Sequence, residues 1–235
     1  MTAVGTHRDR VRVSGADTWT FLQSLLSQDL DGIVPGERRP TLLLTPQGKV
    51  DVLAGITRDG DDALLDTEPG WGEQLRSSLA RFVIRTKVDI SIEPAAPVDD
   101  ATRAADEARR IAAGVPRLGA ELDQTVIPQE AMLEQDAVSF TKGCFIGQEL
   151  VCRIDSRGHV NRFLRHVVPE AADLVLPVGA PITIDDKAVG TITSATAGIA
   201  LGYVRREIEP PAGATVDGHQ VLVQLLPTAE PDAAL

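Results

Sequence analysis

The feature that most constrains this fold is a change of hydrophobic period along the chain. As far as Glu93, strand and helix periods take turns; from Arg162 onward only short strand-like runs remain. Val11 to Val13 alternate, which predicts a short strand. In "SGADTWTFLQSLLSQDL", Ser14 and Asp17 stand at capping-box spacing, and Phe21, Leu22, Leu25 and Leu26 recur at helical spacing. "TLLLTPQGKVDVLAGITRDGDDALLDTE" reads as three strands divided by the turns "PQGK" and "RDGDD". "GWGEQLRSSLARFVI" predicts a second helix with Leu75, Leu79 and Phe82 on one face, and "KVDISIE" a further strand. This order predicts an α+β sheet with helices packed on one side.

"PAAPVDDATRAADEA" then breaks the pattern and reads as a linker entering a helix over residues 101–113. Past Arg162, "PVGAPITIDDKAVGTITSATAGIALGYVRREI" and "GATVDGHQVLVQLL" are β-rich runs separated by Gly, Pro and Asp-Asp turns. They predict a small antiparallel barrel or sandwich of about 70 residues. The expected organisation is an N-terminal domain over residues 1–161, a β-barrel over 162–228 and a frayed tail over 229–235.

Composition narrows the function. A length of 235 residues with 43% hydrophobic content supports one large domain or two modest ones. A formal net charge of −11 argues against a general nucleic-acid binder, and 3% aromatics leaves no stacking platform for single strands. Runs such as "TLLLT" fall short of a membrane span, and "MTAVGTHRDRVRV" lacks a signal-peptide core. A cytoplasmic protein with no nucleic-acid and no membrane partner is expected. Two cysteines make no disulfide scaffold, and no Cys/His spacing suits a metal.

Both cysteines lie in "FTKGCFIGQELVCR", Phe140 to Arg153. Gly143 offers a backbone break before Cys144, and "CFIGQELVCR" can run as a helix with Cys144 in its first turn. There the helix dipole, with Lys142 nearby, favours a thiolate. The other reading is a buried, inert cysteine. Cys152 stands about 12 Å further along such a helix, too far for a disulfide.

"KGCFIGQELVCR" is similar to the K-G-C-[FY]-x-G-Q-E signature of the YgfZ-type folate-binding proteins, relatives of the glycine-cleavage aminomethyltransferase that assist iron–sulfur cluster assembly or repair. The resemblance extends to "VRVSGADTWTFLQSLLSQDL", "LLLTPQGKV", "LARFVIRTKVDI", "GVPRLGAEL", "IPQEAML" and "GTITSATAGIALGYVRRE". It implies an aminomethyltransferase-like N-terminal domain, here abbreviated, with a small C-terminal antiparallel β-barrel. It places the functional thiol on Cys144 and the accompanying binding positions on Lys142, Gly143, Gly147, Gln148, Glu149 and Arg153. Gln148 and Glu149 either meet a ligand or form a buried pair that fixes the helix. Asp29 either faces a central cavity, as its family counterpart does, or caps a helix end.

Two departures from the family bear on tetrahydrofolate. A further α/β segment between "KVDISIE" and the helix before "GVP" is replaced by the Pro/Ala/acid linker. Where the family carries a glutamate in an R-x-E-A-G context, this chain has "RRIAAG" with Ala112. A methyl cannot bond a pterin ring, so weak tetrahydrofolate binding is expected. "CRIDSRGHVNRFLRH" gathers Arg153, Arg157, His159, Arg162, Arg165 and His166, either as an anion or acidic-partner site or as a solvated connector. The implied function is an accessory protein for iron–sulfur enzyme maturation or repair, its partners being client or assembly proteins. The alternative is a folate-dependent one-carbon transferase.

Overall fold

The computed structural model describes residues 7–158 and 160–227. The tail expected over 229–235 lies outside the described residues. The fold is α+β. Five antiparallel strands form one sheet in the order β2-β3-β4-β1-β5, built from β1 (Asp9–Ser14), β2 (Arg38–Leu44), β3 (Val50–Asp59), β4 (Asp62–Thr67) and β5 (Asp89–Glu93). Helices α1 (Thr18–Leu25) and α2 (Gly72–Ala80) connect them, and α3 (Asp100–Ala112) leads towards the second half. A short 3-10 helix (Pro128–Ala131), α4 (Glu134–Ala137) and α5 (Gln148–Arg157) follow.

The second half closes on itself. Strands β6 (Arg162–Pro169), β7 (Pro181–Ile184), β8 (Lys187–Thr196), β9 (Ile199–Arg205), β10 (Ala212–Val216) and β11 (His219–Gln224) form a closed antiparallel barrel in the order β10-β11-β6-β9-β8-β7. Closure removes the open edges that a sheet this small would otherwise present. Val167, Ile182, Ile192, Val204, Val216 and Val223 fill its interior. The β7–β8 turn places Asp185 and Asp186 at φ 49° and 59°. That left-handed pair matches the strand twist and suits the Asp-Asp dipeptide read as a turn.

Three local expectations need correction. Asp17 does not cap α1; its carboxylate accepts the backbone N–H of Lys87 at 2.7 Å, tying the helix start to the loop that enters β5. The first turn is braced instead by the Thr18 hydroxyl donating to Gly15 O. Leu75 and Leu79 are fully buried, but α2 ends at Ala80 and leaves Phe82 39% exposed. The chain must turn there to reach β5, with Arg85 at φ 60°. Lastly, the sheet is not covered on one side only, because β3 is buried continuously from Val50 to Ile56. Period-2 geometry then requires cover on both faces. Asp51 of β3 meets Gln74 and Ser78 of α2 together with Gln124 from the segment after α3.

Between β5 and α3 only residues 94–99 intervene, and Asp99 caps α3 by accepting the Thr102 N–H at 2.7 Å. Near the far end of α3 the two halves are clamped by Arg110. Its guanidinium donates to Glu121, Glu107, Val115 O and the Ser194 hydroxyl of β8. Ser194 in turn donates to Glu121 at 2.6 Å, and the Tyr203 hydroxyl of β9 donates to Glu121 O at 2.9 Å. Glu121 is almost wholly buried. A buried charge tolerates that position only with its bonding capacity filled, so the network specifies one docking of barrel on body.

Candidate functional site

The signature segment is a display turn. Lys142 points inward, only 8% exposed, and its ammonium donates to the carbonyls of Gln23 (2.8 Å), Leu26 (2.7 Å) and Gln28 (2.8 Å). These carbonyls lie in and just beyond the last turn of α1, where a helix leaves acceptors unfilled and favours a cation. Burial pushes Lys142 down to about 8, partly offset by the charges of Asp29 and Asp31. Phe145 is also buried, 5.6 Å from the Lys142 ammonium. With residues 142 and 145 anchored, Gly143 and Cys144 between them are turned out to solvent.

Cys144 therefore does not lie in a helix. Helix α5 begins at Gln148, four residues later, so the expected help from its dipole is absent. Gly147 causes the offset. It sits at φ 77°, and a Cβ there would stand 2.6 Å from Thr45 O and 2.9 Å from Gly48 Cα. The signature thus packs backbone to backbone against the β2–β3 turn, a contact that only glycine permits. Nor is Lys142 a cation for the thiol, since its three short bonds are spent on α1. No disulfide joins Cys144, which is exposed, to the half-buried Cys152.

Beside Cys144 opens a groove of about 560 Å3. Gly143 and Cys144 form one rim, and Thr20, Gln23 and Ser24 of α1 line it. Trp19 and Arg58 also line it, with the guanidinium 5.2 Å from the indole centroid. Trp19 donates its ring N–H to Asp61 O at 3.0 Å, and Arg58 donates to Gly60 O, so both planes are fixed. Sequence reasoning missed this pair. The available signal was Trp19, one of two tryptophans, on the polar side of an otherwise apolar helix pattern.

Asp29 stays behind the groove. Its carboxylate accepts from Gln23 at 2.8 Å and from the Asp31 N–H at 3.0 Å, and these bonds, with Lys142 and Arg39 nearby, hold its pKa below the usual carboxylate range. It braces its own loop beyond α1, and in neither of its two readings does it act: it does not line the groove, and its carboxylate bonds no backbone group of the helix end. Gln148 is half-buried. Glu149 is exposed and pairs with Arg153 one turn on, a solvent-facing pair worth little. The buried Gln148–Glu149 pair is thus not formed.

The basic run does not converge either. On β6 successive side chains alternate faces. Arg162 lies 4.3 Å over the Tyr203 ring and pairs with Glu130, Arg165 lies over Phe163, and His166 is buried against Ile111 O at 2.8 Å. Burial lowers the pKa of His166. The side chain of Arg157 and the whole of His159 lie outside the described residues. Ala112 is exposed at the end of α3, while Arg110 of the same "RRIAAG" stretch is the buried clamp.

Residues 164–230 match the CAF17 C-terminal beta-barrel domain. The whole architecture superimposes on the glycine cleavage system aminomethyltransferase T of Bartonella henselae with a TM-score of 0.80 at 16% identity, covering 94% of this chain and 84% of that one. The chain has the aminomethyltransferase fold. It is also similar to an uncharacterised protein of Haemophilus influenzae, 28% identical over 231 residues, which spans 81% of this chain and 82% of the relative. No helix among the described residues is long and apolar enough to cross a membrane.

The aminomethyltransferase fold is compatible with tetrahydrofolate. The positions expected to hold it, however, do not gather around one cavity: Lys142 is spent on α1, Asp29 on its own loop, Glu149 on Arg153, and Ala112 faces solvent.

Proposed function

We propose that this protein is an accessory factor in iron–sulfur enzyme maturation or repair, and that Cys144 is its functional thiol. One observation carries the reading. The signature turn spends a buried lysine, a buried phenylalanine and a left-handed glycine on presenting one cysteine to solvent beside a groove. A structural cysteine would be buried, not displayed. The CAF17-type barrel and the aminomethyltransferase fold support the same direction. Among the described residues no three His, Cys, Asp or Glu side chains gather at metal-ligating spacing. An exposed thiol here donates one ligand, so a transferred or repaired cluster is cargo whose other ligands come from the client.

The test is complementation of a strain lacking its iron–sulfur maturation factor of this kind, read as activity of a cluster-dependent enzyme. Cys144→Ala is expected to abolish rescue at unchanged protein level, and Cys152→Ala to retain it. Full rescue by Cys144→Ala refutes the reading. A folate-dependent one-carbon transferase is the second reading, favoured by the fold alone; turnover of a one-carbon donor with tetrahydrofolate decides it.

A further inference from the structure

A second cavity, of about 360 Å3, lies where the end of α3 meets the barrel, and none of its lining residues belongs to the Cys144 groove. Val115, Pro116, Met132, Leu133 and Leu226 supply apolar wall, and Arg165 of β6 is the cation among the lining residues. Arg165 is half-buried. Its guanidinium lies 4.8 Å over the Phe163 ring and donates to the carbonyl of its own neighbour Leu164 at 3.0 Å. Among the described residues no carboxylate comes within the 4.0 Å of an ion pair with it. A guanidinium has five donors, and desolvation without a counter-charge is costly. Burial accordingly lowers the pKa of Arg165.

Two left-handed residues shape the rim. Met132 adopts φ 60°, a conformation that L side chains rarely take, and stays 37% exposed. Gly114 sits at φ 71°, and a Cβ there would press to 3.1 Å of Leu226. The other polar lining groups, Gln135 and Asp136, are exposed at the mouth. A largely apolar cavity of this size, with one half-buried cation in its wall and a carboxylate at its mouth, has the form of a small-ligand site.

We propose that this junction cavity binds a small monocarboxylate with an apolar body, its carboxylate on the Arg165 guanidinium. Asp136 at the mouth disfavours a second negative charge on the ligand. The proposal stands independently of the role of Cys144.

The experiment is isothermal titration of the full chain with octanoate, octanamide and octylamine. Octanoate is expected to bind, with octanamide weaker by roughly tenfold or more, the ratio a charged hydrogen bond typically carries. Arg165→Gln should lose at least the same factor. Leu225→Glu, at a 61% exposed lining position away from the Arg165–Phe163 stack, should weaken octanoate equally at unchanged melting temperature. It keeps the test decisive if Arg165→Gln does not fold. Equal binding of octanamide, tighter binding of octylamine, or octanoate affinity indifferent to both substitutions overturns the proposal. So does affinity that emerges only in a chain ending at Pro227, because residues 228–235 would then be the occupant.

Discussion

Replacing Lys142 with methionine keeps an unbranched apolar stem, with sulfur in place of Cδ, and removes the ammonium. Three carbonyls, of Gln23, Leu26 and Gln28, then lose donors at 2.7–2.8 Å. A hydrogen bond to a charged group contributes about 1.5–3 kcal/mol net, so three amount to roughly 4–9 kcal/mol. Against this stands the cost of burying the charge. A fall from 10.5 to about 8 corresponds to about 3 kcal/mol at most, and less where solvent reaches the ammonium. The difference is a loss of roughly 1–6 kcal/mol, centred near 3. For a chain of this size that lowers the melting temperature by roughly 6–12 °C. Differential scanning calorimetry of wild type, Lys142→Met and Lys142→Arg measures it. Iodoacetamide alkylation of Cys144 supplies a second readout, because a released turn no longer presents the thiol in one geometry. A shift below about 2 °C with unchanged alkylation would refute the claim that the signature lysine anchors the display turn.

Three further outcomes follow from the same geometry. Cys144, exposed, should be alkylated at neutral pH at least several-fold faster than the half-buried Cys152, compared on the two single Cys→Ala variants; equal rates contradict the display reading. Tetrahydrofolate should bind more weakly than about 100 μM by titration, and Ala112→Glu should not improve it, since residue 112 faces solvent; low-micromolar affinity would show that other groups form a pterin site. Burial pushes Glu68 up to about 7, with the Leu118 N–H and nearby arginines opposing. A carboxyl raised in the folded state gives stability that is present below its unfolded pKa near 4.5 and lost as pH rises through 7. Glu68→Gln should therefore gain on wild type between pH 4.5 and 7, by about 3 kcal/mol at most, in urea unfolding across that range; a pH-independent difference would contradict it.

What the sequence determined by itself is local. The strand runs from Val11, Leu42, Val52 and Leu64, the helix carrying Leu22 and Leu25, the six-residue step from Glu93 to Asp99, and the barrel turn at Asp185 and Asp186 are written in periods of 2 and 3.6 and in turn chemistry. Gly147 and Cys144 could be singled out from the signature before any coordinates. What their neighbours do was not legible, because it depends on contacts across 100 residues or more. Lys142 looked like a cation for the thiol until α1, 114–119 positions earlier, supplied the carbonyls that hold it. Trp19 and Arg58 meet only because β3 and β4 return the chain past the start of α1. The basic run of β6 reads as one patch in a line of letters, yet the pleat sends Arg165 to the junction cavity on one face and leaves Arg162 and His166, four residues apart on the other, against Tyr203 and Ile111. Hydrophobic period is encoded residue by residue. The partner of a buried charge is chosen by whichever distant backbone the fold brings within 3 Å, and only the tertiary structure decides that.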